Sequence, residues 1–175
     1  QTLQAHLRES GGRTIVRAGP PWQADVSLRH GDGVIEFSRL RLAAGDAMLD
    51  AAGRLQLVDA QSFDLKGKLS RFDPSIYADV PRARLTADIA ASGVLEPQAR
   101  ADVSFDLHDS QLATPEGMRG LAGQGELQLE PGRLARADVA LDLAGNRLTA
   151  NGAFGRTGDT LKFVVDARKL DSLGM

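Results

Sequence analysis

Short stretches of this chain alternate aliphatic and polar residues, and glycine punctuates nearly all of them. Val103-Ser104-Phe105-Asp106-Leu107, Asp138-Val139-Ala140-Leu141-Asp142-Leu143 and Leu161-Lys162-Phe163-Val164-Val165-Asp166 are clear instances. A period of two is the signature of a strand with one apolar and one wet face. Read this way, strands are expected at Leu3–Arg8, Arg13–Ala18, Gln23–Arg29, Val34–Leu42, Ala47–Leu57, Ser62–Ser70 and Ala83–Ser92. Six more are expected at Ala99–His108, Gln111–Thr114, Ala122–Leu129, Ala135–Leu143, Arg147–Phe154 and Thr160–Lys169. This spacing is that of all-β folds.

Turn chemistry agrees. Gly31-Asp32-Gly33, Gly45-Asp46 and Gly145-Asn146 supply residues that tolerate positive φ, as tight hairpins require. Glu130-Pro131-Gly132-Arg133 places Pro and Gly where a type II turn wants them. One helical turn is expected near 73–78, where Asp73 can cap Pro74-Ser75-Ile76-Tyr77 and Pro81 stops it. One turn cannot cover a sheet of this size.

The aliphatic residues of each strand are expected to keep one phase. Phe63, Leu65 and Leu69 share a face, as do Leu85, Ala87, Ile89 and Ala91, while Asp64, Lys66 and Lys68 or Arg84, Thr86 and Asp88 form the other. That other side reads as a solvated antiparallel face. The chain also repeats at about 99 residues. Gly33-Val34-Ile35 matches Gly132-Arg133-Leu134, Leu40 and Leu42 match Val139 and Leu141, and Leu49, Ala51 and Gly53 match Leu148, Ala150 and Gly152. After a one-residue slip Phe63 and Leu65 match Leu161 and Phe163, and Phe72-Asp73 matches Leu170-Asp171. The organisation expected is one β-repeat domain over 1–175, with two related units at about 33–73 and 132–171. The chain starts at Gln1 inside a strand pattern and stops at Leu173-Gly174-Met175, so it reads as a piece of a longer protein.

Composition narrows the function. Twenty-one Lys and Arg against 23 Asp and Glu leave no basic stripe, which argues against a nucleic-acid partner. Aromatics are only 5%, too few for base- or sugar-stacking platforms. With no cysteine there is no disulfide, thiol nucleophile or thiolate-bound zinc. No run of about 18 apolar residues offers a membrane-spanning helix. His6, His30 and His108 are isolated, and an acid pair such as Asp102 with Asp106 comes without a sign of the partly buried pocket that catalysis would need. No serine sits in a nucleophile elbow, Gly123-Gln124-Gly125 lacks the context of a phosphate loop, and Trp22 reads as a packed rim residue. The reading is therefore a non-enzyme without metal or cofactor.

Such strands can close as a sandwich, close as a barrel, or curl into an open trough. Dry sandwich cores lean on aromatic side chains, whereas a lining of Leu, Val, Ile and Ala suits aliphatic acyl chains. The trough is the expected fold: all-β, a curled, mostly antiparallel sheet with an apolar interior. Its expected lining is Ile35, Leu40, Leu42, Leu49, Leu55, Leu57, Phe63, Leu65, Leu69, Leu85, Ile89, Val103, Phe105, Leu107, Leu127, Leu129, Val139, Leu141, Leu143, Leu148, Leu161, Phe163 and Val165.

Several stretches, in order, resemble the TamB family of AsmA-like proteins. They are Leu69-Ser70-Arg71-Phe72-Asp73-Pro74, Val80-Pro81-Arg82-Ala83-Arg84-Leu85, Ala91-Ser92-Gly93-Val94-Leu95, Asp109-Ser110-Gln111-Leu112 and Met118 through Leu127. The clearest runs from Leu141 to Gly155 and on into Gly158-Asp159-Thr160-Leu161. The resemblance implies a β-taco repeat in the periplasm of a diderm bacterium, within a protein anchored in the inner membrane by an N-terminal helix. It further implies a role in phospholipid transport, or in assembly and secretion of outer-membrane proteins such as autotransporters. Partners implied are phospholipid acyl chains, the outer-membrane barrel protein TamA and nascent outer-membrane strands. A structural or docking module that binds client strands by β-augmentation is the rival reading.

Overall fold

A computed structural model of the chain describes residues 2–8 (backbone only), 23–58, 61–76 and 79–169. The fold is all-β: one curled, unclosed sheet in which sequence order is also spatial order. Its eleven strands are β1 (Thr2–Arg8), β2 (Gln23–Gly31), β3 (Val34–Ala44), β4 (Ala47–Gln56), β5 (Ser62–Phe72) and β6 (Ala83–Val94), then β7 (Arg100–Thr114), β8 (Gly117–Glu130), β9 (Arg133–Leu143), β10 (Asn146–Phe154) and β11 (Leu161–Asp166). Every neighbouring pair is antiparallel. The only helical element among the described residues is a 3₁₀ turn, Pro74–Ile76, between β5 and β6. The expected strand Arg13–Ala18, Tyr77 and the pair Leu170-Asp171 lie outside the described residues.

The meander follows from local chemistry. Asp32 and Gly33 both have positive φ, as do Ala144 and Gly145, which is the backbone of a tight primed hairpin turn. The second turn is therefore Ala144-Gly145, one residue earlier than the sequence reading, and Asn146 begins β10. Asp142 holds it closed by accepting a 2.8 Å hydrogen bond from the Gly145 N–H. At the 3₁₀ turn, Asp73 Oδ1 accepts from the Ser75 N–H, the Ser75 hydroxyl and the Ala83 N–H.

The expectation of a single phase along each strand needs correction. β3, β5, β7 and β9 each carry a bulge, at Ser38-Arg39, Ser70-Arg71, His108-Asp109 and Ala135-Arg136. One extra residue reverses the alternation beyond it. In β3 Ile35 and Phe37 face the same side as Leu40 and Leu42, although their numbers change parity. The β7 bulge at His108-Asp109 explains why Ala99–His108 and Gln111–Thr114, expected as two strands, form the single strand β7. The repeat is likewise adjusted by the register: Gly152 pairs with Leu161 as Gly53 pairs with Leu65, so the counterpart of Leu161 is Leu65 and not Phe63.

The β7 bulge breaks the ladder at Thr86 of β6, which falls between the pairs Arg84↔Gln111 and Ala87↔Leu107. The buried hydroxyl of Ser110 fills the gap. It accepts from the Thr86 N–H at 2.8 Å and donates toward the Thr86 carbonyl at 2.9 Å. Replacing Ser110 by Ala leaves two inward backbone groups without partners. The expected loss is about 1–3 kcal/mol of folding stability, read as a lower urea midpoint at unchanged slope.

At the opposite end, Arg133 of β9 grips Asp159 with a two-pronged bond, Nε to Oδ2 at 3.2 Å and Nη2 to Oδ1 at 3.1 Å. That bond from Arg133, with the Arg156 N–H, outweighs partial burial and holds the Asp159 carboxyl below its ordinary range. Its contribution to stability is therefore complete above the unfolded aspartate value of about 3.9, and is lost as pH falls through the lower folded value. Between neutral pH and pH 3, wild type should lose more of its urea midpoint than Asp159→Asn does.

Candidate functional site: an open apolar face

Cross-strand pairing places every expected lining residue except Leu57 on one face of the sheet. Directly opposed residues share a face, so the ladders can be followed from strand to strand. One row runs Val26–Leu40–Ala51–Gly67–Ile89–Phe105–Gly125–Val139–Ala150–Phe163. The next runs Ala24–Leu42–Leu49–Leu69–Ala87–Leu107–Gly123–Leu141–Leu148–Val165. On the other flank lies Leu28–Phe37–Gly53–Leu65–Ala91–Val103–Leu127–Ala137–Gly152–Leu161. Beyond it are Ile35, Leu55, Phe63, Leu129, Leu134 and Phe154. Leu85 pairs with Phe72 and Leu143 with Leu121, extending the face at its other margin. Leu57 follows β4, where its N–H donates to the Gly33 carbonyl at 2.7 Å.

No charged side chain interrupts these three long rows. Nine strand-to-strand steps of about 4.8 Å give an apolar path of roughly 40 Å. One leaflet of a bilayer core is about 15 Å thick.

The face is sheltered but not filled. In β7, residues 100–107 alternate exposed and half-buried, with the apolar phase the half-buried one. Yet among the described residues the only buried apolar ones are Ala44, Ala47, Ala83, Ala87 and Ala137, and no large side chain is fully buried. A two-sheet sandwich of this length would bury leucines outright. Toward β11 the lining lies almost bare, with Phe163 63% and Val165 66% exposed.

Glycine and phenylalanine are matched across the ladder. Phe37 faces Gly53, Phe63 faces Gly93, and Phe105 faces Gly125. The Phe105 ring occupies the space of a Gly125 side chain: a Cβ there would come within 2.6 Å of the ring. At this pair the ring lies over glycine and fills the space that a side chain there would take. This also explains Gly123-Gln124-Gly125, since a Cβ on Gly123 would collide with the Ala140 carbonyl and Leu141.

The opposite face is wet, and its charges pair in rows. Asp25, Arg41, Asp50, Lys68 and Asp88 are successive cross-strand neighbours of alternating sign. Arg41 contacts Asp50 through two bonds, Nε to Oδ1 at 2.6 Å and Nη2 to Oδ2 at 3.2 Å. Asp102 and Asp106 lie on this face four residues apart along β7, about 13 Å in an extended strand. That is too far for one acid–base pair. Asp102 accepts from Gln128 Nε2, and Asp106 stands opposite Asp88. His108 Nδ1 is 3.8 Å from Asp88 Oδ2. Register places His6 opposite Asp25, and His30 is exposed at the end of β2. Among the described residues no three His, Asp or Glu groups converge as metal ligands. Trp22 lies outside them.

Three depressions in the middle of the sheet lie mainly against wet-face residues. One of about 340 Å³ is lined by Asp64, Lys66, Asp102, Glu126, Gln128 and Arg136 among others, and two of about 620 and 640 Å³ flank Asp88 and Asp106 or Glu36 and Arg54. A twisted sheet is saddle-shaped, so both faces have concave directions.

Sequence reasoning missed Val26, Leu28, Phe37, Phe72, Leu121, Leu134 and Phe154 as members of the apolar face. Paired polar residues inside an otherwise alternating run, Ser38-Arg39 above all, were the available signal for the bulge that brings Phe37 and Leu40 to one side.

No protein-family model matches this chain, no curated protein matches its sequence, and no solved structure matches its fold.

Proposed function

We propose that the apolar face holds phospholipid acyl chains and lets them pass along the sheet, as a periplasmic stretch of a TamB-like protein anchored in the inner membrane. One observation carries this reading. Unbroken apolar rows cross ten strands, and among the described residues no large side chain is buried to close them off. Each methylene leaving water for such a surface gains about 0.8 kcal/mol. Without a polar group to anchor it, a chain finds no single deep minimum and slides.

The wider role, phospholipid delivery or assembly of outer-membrane proteins together with the barrel partner TamA, comes with the family resemblance. A second reading has its own support. Among the described residues β11 has no strand beyond it, and its Phe163, Val164 and Val165 are all more than 60% exposed. An edge of this kind accepts a client strand by β-augmentation.

The test uses two neighbouring positions on opposite faces. Leu141 sits in an apolar row between Gly123 and Leu148, and Ala140 points to the wet side. Native mass spectrometry of the purified chain, with diacyl phospholipid supplied, should show bound lipid for wild type and Ala140→Asp. Leu141→Asp, with far-UV circular dichroism unchanged, should lose most of it, because a carboxylate on the apolar row must be desolvated. Equal lipid retention by all three proteins, or none by wild type, would contradict the proposal.

A further inference from the structure

At the margin of the sheet beyond Leu69 and Ala87, a depression of about 560 Å³ collects three arginines: Arg71, Arg82 and Arg84. Part of its lining is buried and apolar. Ala44, Ala47 and Ala83, three of the five buried alanines, line it together with Ile76 and Met118. A concavity with an apolar floor and a guanidinium rim suits an amphiphile with an anionic head.

The rim is held in place by Asp73. Besides capping the 3₁₀ turn and binding the Ala83 N–H, its Oδ2 lies 3.4 Å from Arg82 Nε, and its side chain is 17% exposed. Burial pushes this carboxyl up, but the Ser75 hydroxyl, the Ala83 and Ser75 N–H groups and Arg82 together pull it below its ordinary range. Asp73 is thus already committed as an anion and neutralises Arg82. Arg71 is the bulge residue of β5, with φ of 51°, and its N–H points to Thr86 Oγ1 at 3.5 Å. Arg84, the second residue of β6, stands opposite Gln111. Neither guanidinium has a carboxylate within ion-pair distance among the described residues, and both line the same depression. The remaining acid on the rim is Asp46. The bulge is what turns Arg71 out of the ladder toward this rim.

We infer that Arg71 and Arg84 form a subsite for a phosphate group, with Arg82 and Asp73 fixing its frame. Arginine binds phosphate through two parallel N–H···O bonds from a planar fork, and two unpaired forks on neighbouring strands converge on one concavity. The source of the phosphate is either a phospholipid head or a free phosphate ion. The first case rests on the acyl-chain reading above and deepens it, because the subsite would take the head while the apolar face takes the tails.

The test is calorimetric titration of the full chain with two probes, inorganic phosphate and the soluble short-chain lipid dihexanoyl phosphatidic acid. The variant is Arg71→Asn with Arg84→Gln, since Asn tolerates the positive φ at position 71. The control is Arg29→Gln with Arg39→Gln, which removes the same charge elsewhere on the sheet. Loss of two charged hydrogen-bonding forks should weaken phosphate-probe binding at least about tenfold, while the control stays within about twofold. Tighter binding of the lipid than of inorganic phosphate identifies a headgroup site, and equal binding identifies a free-phosphate site. If variant and control weaken binding equally, or the variant binds both probes like wild type, the subsite is overturned. If the double variant fails to fold, Arg84→Gln alone is titrated by the same criterion. Lipid retention blocked by Leu141→Asp is a separate result, so the subsite and the apolar face fail independently.

Discussion

Side-chain phase is the constraint on which this molecule depends. A strand has two faces, and a slip of one residue exchanges them. Ten antiparallel ladders in succession offer ten places for that error to occur. The apolar rows nonetheless run from β2 to β11 without a charged residue. The bulges in β3, β5, β7 and β9 are not lapses in this order, because each shifts the chain by one residue where the sequence also shifts, so the greasy residues return to the same side. Bulges also increase local twist, which favours curling over a flat ribbon. Ser110 shows what such a device requires: a hydroxyl placed where the broken ladder leaves both Thr86 backbone groups open.

Stability is spread along the sheet and is not gathered in a core. Among the described apolar residues only alanines are buried, so cohesion rests on ladder hydrogen bonds, on cross-strand pairs such as Phe105 with Gly125, and on charge rows on the wet side. Each neighbour contact is local, as in other quasi-one-dimensional folds. This arrangement leaves the large side chains free to serve as a surface. In the function proposed above, stability and binding would draw on different atoms: backbone and wet-face charges hold the sheet, and the Leu, Ile, Val and Phe side chains would receive the guest.

Much of this was legible in the sequence, for a definite reason. Alternation in Val103 to Leu107 or Val139 to Leu143 translates directly into register, and Asp32-Gly33 has one common backbone solution as a hairpin. The expected all-β, curled sheet is the observed one. What escaped notice depends on non-local geometry. A bulge such as His108-Asp109 resembles a loop in one dimension, because the residue it opposes lies on another strand. The glycine–phenylalanine matching and the arginine cluster at the β5–β6 margin also need the strands laid side by side. Arg71, Arg82 and Arg84 in sequence are only three cations among many, while in the fold they rim one depression.

The central claim is that the inward phase of the alternation is a working surface for acyl chains. The most direct measurement is photocrosslinking with a phospholipid carrying a photoreactive group in its acyl chain, with adducts mapped by peptide mass spectrometry. The account predicts adducts on inward-phase residues such as Ile89, Phe105, Val139 and Leu141, spread over several strands. Adducts confined to wet-face residues such as Ser104, Glu126 and Asp138, or to the β11 edge alone, would contradict it.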